Sequence, residues 1–170
     1  MHILKNKFSV LFVLAGILLV CWLTNACKKQ DEQASITTFL TGYGSWQLAS
    51  LQRYNYSGDT LKTTDTLNTA CMYTQTVNFN DAGTYMYNHF NCATDLKNGN
   101  WHFSTDKLVL LSATQFKVDT GLVMPFKYAR IVNLGRNSLV LQQTDTPTKY
   151  QSSTVKKYTV MRYGFIHIAD

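Results

Sequence analysis

Two cysteines in the middle of the chain are placed to form a disulfide. Cys71 and Cys92 flank a predicted β-hairpin whose turn is centred on Asp81 and Ala82. With a two-residue loop the cysteines face each other, whereas a bulge at Gly83 shifts the register by one residue and requires a compensating bulge elsewhere. A disulfide that closes about twenty residues contributes ~3 kcal/mol to stability. The spacing therefore predicts a Cys71–Cys92 disulfide, and two buried thiols are the alternative.

The acidic residues and histidines do not form a catalytic or metal-binding pattern. No glutamate follows residue 35. Five aspartates fall mostly where turns are expected, because a turn carboxylate bonds to the local backbone: Asp59, Asp81, Asp95, Asp106 and Asp145. The histidines His89, His102 and His167 lack the spacing of metal ligands, and the nucleophile-elbow and phosphate-loop motifs are absent. The sequence predicts a protein that is not an enzyme and has no metal ion or cofactor.

Aromatic side chains are the remaining candidates for a binding function. Five rings could point inward from predicted strands: Tyr54, Tyr73, Tyr87, Phe103 and Tyr128. Such rings either fill the interior of a small barrel or line a pocket for an apolar or ring-bearing ligand. We treat all five as candidate ligand contacts, and core filling is the alternative for each.

The elements that position these residues are predicted to be β-strands. Ile36, Phe39 and Leu40 have helical spacing and predict one or two helical turns before Gly42. A polar loop is expected over 57–69. Strands are predicted at about 45–56, 71–79, 84–92, 98–103, 108–111, 125–134, 139–144 and 155–163. Eight antiparallel strands with local hairpins favour an all-β, up-and-down barrel, and a β-sandwich is the alternative.

The first 27 residues have the composition of an export signal. Lys5 and Lys7 precede an apolar run from Phe8 to Leu23, and the chain becomes polar directly after Cys27. The apolar run is shorter than the ~20 residues that a membrane-spanning helix needs. The segment therefore predicts export from the cytoplasm into a compartment in which disulfides persist.

The end of this segment resembles the lipobox of bacterial lipoproteins. In those proteins a cysteine placed like Cys27, directly after Ala26, is lipidated and becomes the first residue of the mature chain. The resemblance implies a lipoprotein signal peptide at 1–26, a lipidated Cys27 and a flexible tether at 27–35, followed by one domain at 36–170. It also implies an anchor in the outer membrane, facing either the periplasm or the cell surface. An ordinary signal peptide with a plain thiol at Cys27 is the alternative.

The charge of the chain excludes one class of partner. The formal net charge is +6, and loss of Lys5 and Lys7 with the signal peptide lowers it to +4. No dense cluster of lysine and arginine is visible in the sequence, so we expect no binding to nucleic acid.

Several short motifs resemble the lipocalin-like domains of small bacterial lipoproteins. Gly44-Ser45-Trp46 is similar to the G-x-W that opens the first lipocalin strand after a short helical turn. Further motifs follow in the same order: Trp46 with Leu48, Phe79 before a turn, Gly83-Thr84-Tyr85, and Gly99 with Trp101. The resemblance covers most of 41–163. It implies an eight-stranded lipocalin-like barrel that Trp46 closes at one end, with Arg162 of the last strand lying across the indole.

The resemblance also implies a function. We expect a lipid-anchored envelope protein that is not an enzyme and that binds a small hydrophobic ligand inside the barrel. The alternative is the same fold with a filled interior, acting through its outer surface as an accessory or assembly protein. A cavity of roughly a few hundred Å³ favours the first function, and an exposed apolar patch over a packed interior favours the second.

Overall fold

The described part of the chain is all-β. A computed structural model describes residues 36–119, 121–145 and 155–167. The predicted signal peptide, Cys27 and the tether lie outside these residues. Residues 36–41 are helical, which agrees with the predicted helical turn.

Twelve strands and one short 3-10 turn follow the helix. The strands are β1 (Trp46–Ser57), β2 (Thr60–Thr66), β3 (Thr76–Phe79), β4 (Thr84–Asn88), β5 (Leu96–Asn100), β6 (His102–Phe103), β7 (Val109–Leu111), β8 (Phe116–Val118), β9 (Gly121–Val123), β10 (Tyr128–Gly135), β11 (Ser138–Asp145) and β12 (Lys157–His167). The 3-10 turn is Phe90–Cys92.

Ten of these strands form one antiparallel sheet. Its order is β5-β4-β3-β1-β12-β11-β10-β7-β6, and β2 pairs with the second half of β1. The last strand, β12, lies between β11 and the first strand, β1. β5 and β6, at the two ends of this order, are separated along the chain only by Trp101. β8 and β9 form a separate hairpin.

The predicted closed barrel of eight strands is not found among the described residues, nor do the strands divide into the two large sheets of a sandwich. The strand number is larger because β2, β8 and β9 were not predicted and because Trp101 interrupts one predicted strand. β2 lies in the expected polar loop; its side chains are nearly all exposed, so it has no apolar face that a sequence pattern could reveal. β8 and β9 have three residues each, which is too short for a recognisable alternation.

One hydrophobic core lies on the inward side of the large sheet. Phe126 is fully buried at its centre and makes ring contacts with five other aromatic side chains: Phe79, Tyr85, Tyr87, Tyr163 and Phe165. Phe126 belongs to the turn before β10 and has a left-handed backbone, φ 63°. The turn at 125–127 interrupts the predicted strand at 125–134, in which regular alternation would put Phe126 and Tyr128 on the same face.

The β3–β4 hairpin closes through the bulged turn that the sequence left open as an alternative. Gly83 has φ 76°, which favours glycine, and its N–H donates to the Asn80 carbonyl at 3.1 Å. Phe79 pairs with Tyr85, so the register differs by one residue from that of a two-residue loop. The compensating irregularity lies beyond β4, where His89, Asn91 and Cys92 all have positive φ.

Candidate functional site

At one end of the core the side chains leave a pocket of about 390 Å³ that is partly open to solvent. Its apolar wall includes Leu51 of β1, Tyr87 of β4, Phe90 of the 3-10 turn, and Met161 and Tyr163 of β12. Its polar wall includes Gln75 and Gln143. A pocket of this size with a mostly apolar wall and a few polar groups is typical of small-molecule sites.

Strand alternation places the pocket residues on the same face as the core. On β11, Leu139 and Leu141 are fully buried, and Gln143 and Asp145 follow them on that face at the pocket. On β12, Phe165 lies in the core, and Tyr163 and Met161 follow at the pocket. Each strand therefore contributes packed residues at one end and pocket residues at the other.

The β8–β9 hairpin forms another side of the pocket. Val118 of β8 and Leu122 and Val123 of β9 line it, and Met124 and Pro125 continue the wall toward β10. Leu122 is 67% exposed although it lines the pocket. This hairpin therefore presents an apolar side chain at the edge of the pocket.

The Cys71–Cys92 disulfide joins two further segments of the wall. The cysteines form the predicted bond, with their Cα atoms 4.9 Å apart. Cys71 lies in the loop 67–75 and Cys92 in the 3-10 turn. The loop contributes Leu67, Asn68 and Gln75 to the pocket, and the turn contributes Phe90 and Asn91. The bond is thus close to the pocket and holds these two segments together.

Gln75 makes a second connection between the same segments. Its side chain is only 4% exposed. The Nε2 group donates to Cys71 Sγ at 3.3 Å, and Oε1 accepts a hydrogen bond from the Asn91 backbone N–H at 3.1 Å. Both ends of this amide are therefore used to position the wall.

The inner wall of the pocket is uncharged at neutral pH. Burial raises the pKa of Tyr163 to about 12, and the neighbouring Tyr85 adds to the effect. Burial, followed by the influence of Tyr163 and Tyr85, raises the pKa of Tyr87 well above its usual value. Among the described lining residues the charged side chains are Lys127 and Asp145, which are exposed and of opposite sign.

The five predicted ligand contacts are not brought together. Tyr87 is buried and lines the pocket, and Tyr54 is half-buried on β1, where its hydroxyl donates to Gln52 Oε1 at 2.5 Å. Phe103 packs edge-on against Trp101, with 5.0 Å between ring centroids.

The expectation that Tyr73 and Tyr128 point inward is wrong. Tyr73 is 47% exposed and stacks on His89, because it lies in the loop before β3 rather than in a strand. Tyr128 is 65% exposed, because the turn at 125–127 reverses the expected alternation, so that Phe126 and Ala129 are the buried residues.

At the other end of the core, the expected contact between Trp46 and Arg162 is also wrong. Trp46 is fully buried and its Nε1 donates to the Leu40 carbonyl at 2.9 Å. The ring across it is His167, with 4.6 Å between centroids. Arg162 is exposed and pairs with Gln52 and Gln142. The cause is the length of β12, which continues to His167, four residues past its predicted end.

The acidic residues and histidines have mostly local roles. Asp106 accepts hydrogen bonds from the Ser104 hydroxyl at 2.6 Å and the Leu108 backbone N–H at 3.1 Å, which lower the pKa of its carboxyl. Asp145 differs from the expectation, since it ends β11 at the pocket rather than forming a turn. Within the described residues, no three side chains of the types His, Cys, Asp and Glu form a group that could hold a metal ion.

Of the lining residues, only Tyr87 was predicted as a ligand contact; those that sequence reasoning missed include Gln75, Gln143, Met161 and Tyr163. Gln143 carried a readable signal, because it is two residues beyond Leu141 and four beyond Leu139 on a predicted strand. Gln75 carried none, because its position depends on the loop that precedes β3.

No family model matches the chain, and neither a curated protein nor a solved structure matches it. In the ranges that the structure describes, no helix has the length and apolar character required to cross a membrane. Function must therefore be argued from the residues of this chain.

Proposed function

We propose that this protein is a lipid-anchored protein of the bacterial outer membrane that binds a small, uncharged, hydrophobic molecule and is not an enzyme. The observation that carries the proposal is the pocket of about 390 Å³ with its aromatic and aliphatic wall. Cavity volume is the property that distinguishes the ligand-binding hypothesis from the hypothesis in which the protein acts through its outer surface. A pocket of this volume supports ligand binding.

We further propose that the large sheet curves round the core as a lipocalin-like barrel. The segment 96–103 pairs with β4 through β5 and with β7 through β6, so one stretch of chain belongs to both ends of the strand order. With β5 and β6 taken as one stretch, the strand order in the sheet is the same as the order along the chain: β1, β3, β4, the segment 96–103, β7, β10, β11 and β12. The last strand, β12, pairs again with β1. This arrangement is the one expected of an up-and-down barrel.

Ligand binding is tested with the fluorescent apolar probe N-phenyl-1-naphthylamine. The wild-type protein should bind it at one site. Val118→Trp places an indole in the pocket and should weaken binding at least about tenfold, which is 1.4 kcal/mol. Val132→Trp is the matched control, because Val132 is exposed on β10 and does not line the pocket, and it should bind as the wild type does.

Two results would contradict ligand binding in the pocket: no probe binding by the wild-type protein, or equal binding by both tryptophan variants. Either result would favour the alternative in which the protein acts through its outer surface.

The membrane anchor is supported by Ala26-Cys27 after a short apolar run. Metabolic labelling with a fatty-acid analogue should mark the wild-type protein but not Cys27→Ser. Cys21→Ser, at the cysteine inside the apolar run, is the matched control and should be labelled as the wild type is. Two acyl chains give stable anchoring, so Cys27→Ser should also leave the membrane fraction. Equal labelling of the wild type and Cys27→Ser would exclude lipidation at this cysteine.

A further inference from the structure

Another pocket, of about 270 Å³ and partly open to solvent, lies where the large sheet is interrupted. β1 pairs with β3 at 46–47 and with β2 from Gln52 onward, so among the described residues no strand pairs with that edge of β1 over 48–51. Residues on both sides of the interruption line this pocket: 47–51, 66–69 and 71–75. We call it the polar pocket, because of the side chains that these stretches contribute.

The polar pocket offers hydrogen-bonding groups but no charge. None of its described lining residues is charged. Besides Gln75, whose amide is used within the protein, an aliphatic hydroxyl or an amide is carried by Gln47, Ser50, Thr66, Asn68, Thr69 and Thr74. Thr66, Thr69 and Thr74 are exposed, so a molecule in the pocket can reach them. Because a hydroxyl group both donates and accepts hydrogen bonds, this lining matches a molecule that itself carries several hydroxyl groups.

One aromatic ring belongs to the polar pocket. Tyr73 lines it and is 47% exposed. The ring stacks on His89, with 4.8 Å between centroids and 22° between planes. This contact occupies one face of the ring and fixes its orientation, while the exposure of the residue leaves the rest of the ring accessible. The face of an aromatic ring is electronegative and attracts C–H groups such as those on the flat side of a sugar ring.

The segment 66–75, which carries Tyr73, is held in place from three sides. Near one end the Leu67 N–H donates to the Leu51 carbonyl at 2.8 Å, which ties the segment to β1. At the other end the Gln75 carbonyl accepts a hydrogen bond from the β1 backbone at 2.9 Å. Between them the disulfide joins the segment to the 3-10 turn. A wall that is already formed does not have to be ordered when a ligand binds, which favours binding.

We infer that the polar pocket is a second ligand site, and that it binds a neutral sugar. The Tyr73 ring packs against the sugar ring, and the threonine hydroxyls bond to its hydroxyl groups. The volume lies just below the ~300–1,000 Å³ of sites for drug-sized molecules, which suits a ligand of one or two sugar rings. A charged sugar would lose hydration without gaining an opposite charge from the lining, which disfavours it. The inference is independent of the proposed function, because it concerns a different pocket.

The test is a titration of the wild-type protein with glucose, galactose and mannose, followed by backbone amide NMR. At least one of these hexoses should shift the amide signals of 69–74 in a saturable manner, with a dissociation constant of roughly 1–10 mM for a ligand of this size. The uronic acid of the best-binding hexose is ionised at neutral pH and should bind at least about tenfold more weakly.

Three variants test the role of the Tyr73 ring. Tyr73→Ala should weaken binding of the hexose about tenfold, because it removes the ring. Tyr73→Phe keeps the ring and should bind as the wild type does. Tyr128→Ala is the matched control, because Tyr128 is also an exposed tyrosine but does not line the polar pocket, and it should bind normally.

Four results would overturn the inference. They are no saturable shift with any of the three hexoses, shifts at Val118, Val123 and Met161 instead of 69–74, equal binding of the hexose and its uronic acid, and binding by Tyr73→Ala that equals the wild type. None of them depends on the binding of N-phenyl-1-naphthylamine, so the proposed function is tested separately.

Discussion

The two ends of the core are built from the same strands but differ in how they are filled. At one end Trp46 and Tyr85 are fully buried in the core, and neither lines the pocket. At the other end Tyr87 and Tyr163 are buried on one side but line a pocket on the other. The first region is called the packed end and the second the pocket end.

The two ends differ because different segments of the chain form the wall at each end. At the packed end, large side chains meet small ones: a Cβ on Gly99 would collide with the Tyr85 ring, so glycine is required for this contact. At the pocket end, the loop 67–75, the 3-10 turn and the β8–β9 hairpin replace the regular strands. The side chains of these segments leave a pocket of about 390 Å³ beside the core. Under the proposed function, the packed end would provide stability and the pocket end would provide the ligand site.

The largest effect is expected at the packed end. Trp46→Ala should lower the free energy of unfolding by about 3–5 kcal/mol, because it removes a fully buried ring and its hydrogen bond to Leu40. Urea denaturation measures this loss. Tyr128→Ala, at an exposed ring, should change stability by less than about 0.5 kcal/mol. A loss below about 1 kcal/mol for Trp46→Ala would mean that the packed end does not determine stability.

A second prediction addresses the disulfide at the pocket end. The double variant Cys71→Ser, Cys92→Ser should lose about 3 kcal/mol of stability, because the bond closes a loop with a sequence separation of 21 residues. It should also weaken probe binding, since the bond joins two segments of the pocket wall. Reduced wild-type protein is the control and should match the variant in both measurements. Full probe affinity after reduction would mean that the disulfide is not needed for binding in the pocket.

A smaller effect concerns the buried phenol of Tyr163, which lines the pocket. The pKa of Tyr163 is raised from 10.0 to about 12, so the folded state holds this proton more tightly than the unfolded state does. The stabilisation is therefore complete below about pH 10 and is lost as the pH rises toward 12, by about 2–3 kcal/mol for this phenol. Tyr163→Phe should show a shallower decline in urea midpoint over that range. The control Tyr128→Phe should show the same decline as the wild type. An unchanged slope in Tyr163→Phe would mean that the Tyr163 hydroxyl of the wild-type protein is exposed to water.

The packed end was more predictable from sequence than the pocket end. Val77 and Phe79 alternate regularly on β3, and Trp46 precedes the irregularity of β1 between Leu48 and Ser50, so local pattern decides their burial. The contact across Trp46 was missed because it depends on where β12 ends.

At the pocket end the sequence predicted the disulfide and Tyr87 but not the wall around them. The positions of Gln75, Val118 and Leu122 depend on a loop and a short hairpin whose conformations come from tertiary contacts rather than from residue periodicity. Gln143 is the exception, since the alternation that begins at Leu139 reaches it.

The difference between the two ends can be measured directly by methyl NMR while the wild-type protein is titrated with N-phenyl-1-naphthylamine. Three methyl-bearing residues report on the pocket end: Val118, Val123 and Met161. Three report on the packed end: Val77, Leu110 and Leu139. Exposed Met72 and Met86 report on non-specific contact with the surface.

If one end of the core is a ligand pocket and the other is filled, the probe should shift the pocket-end methyl signals in a saturable manner. The packed-end and surface signals should stay in place. Shifts confined to Met72 and Met86, or no saturable shift at Val118, Val123 and Met161, would contradict the assignment of ligand binding to the pocket end.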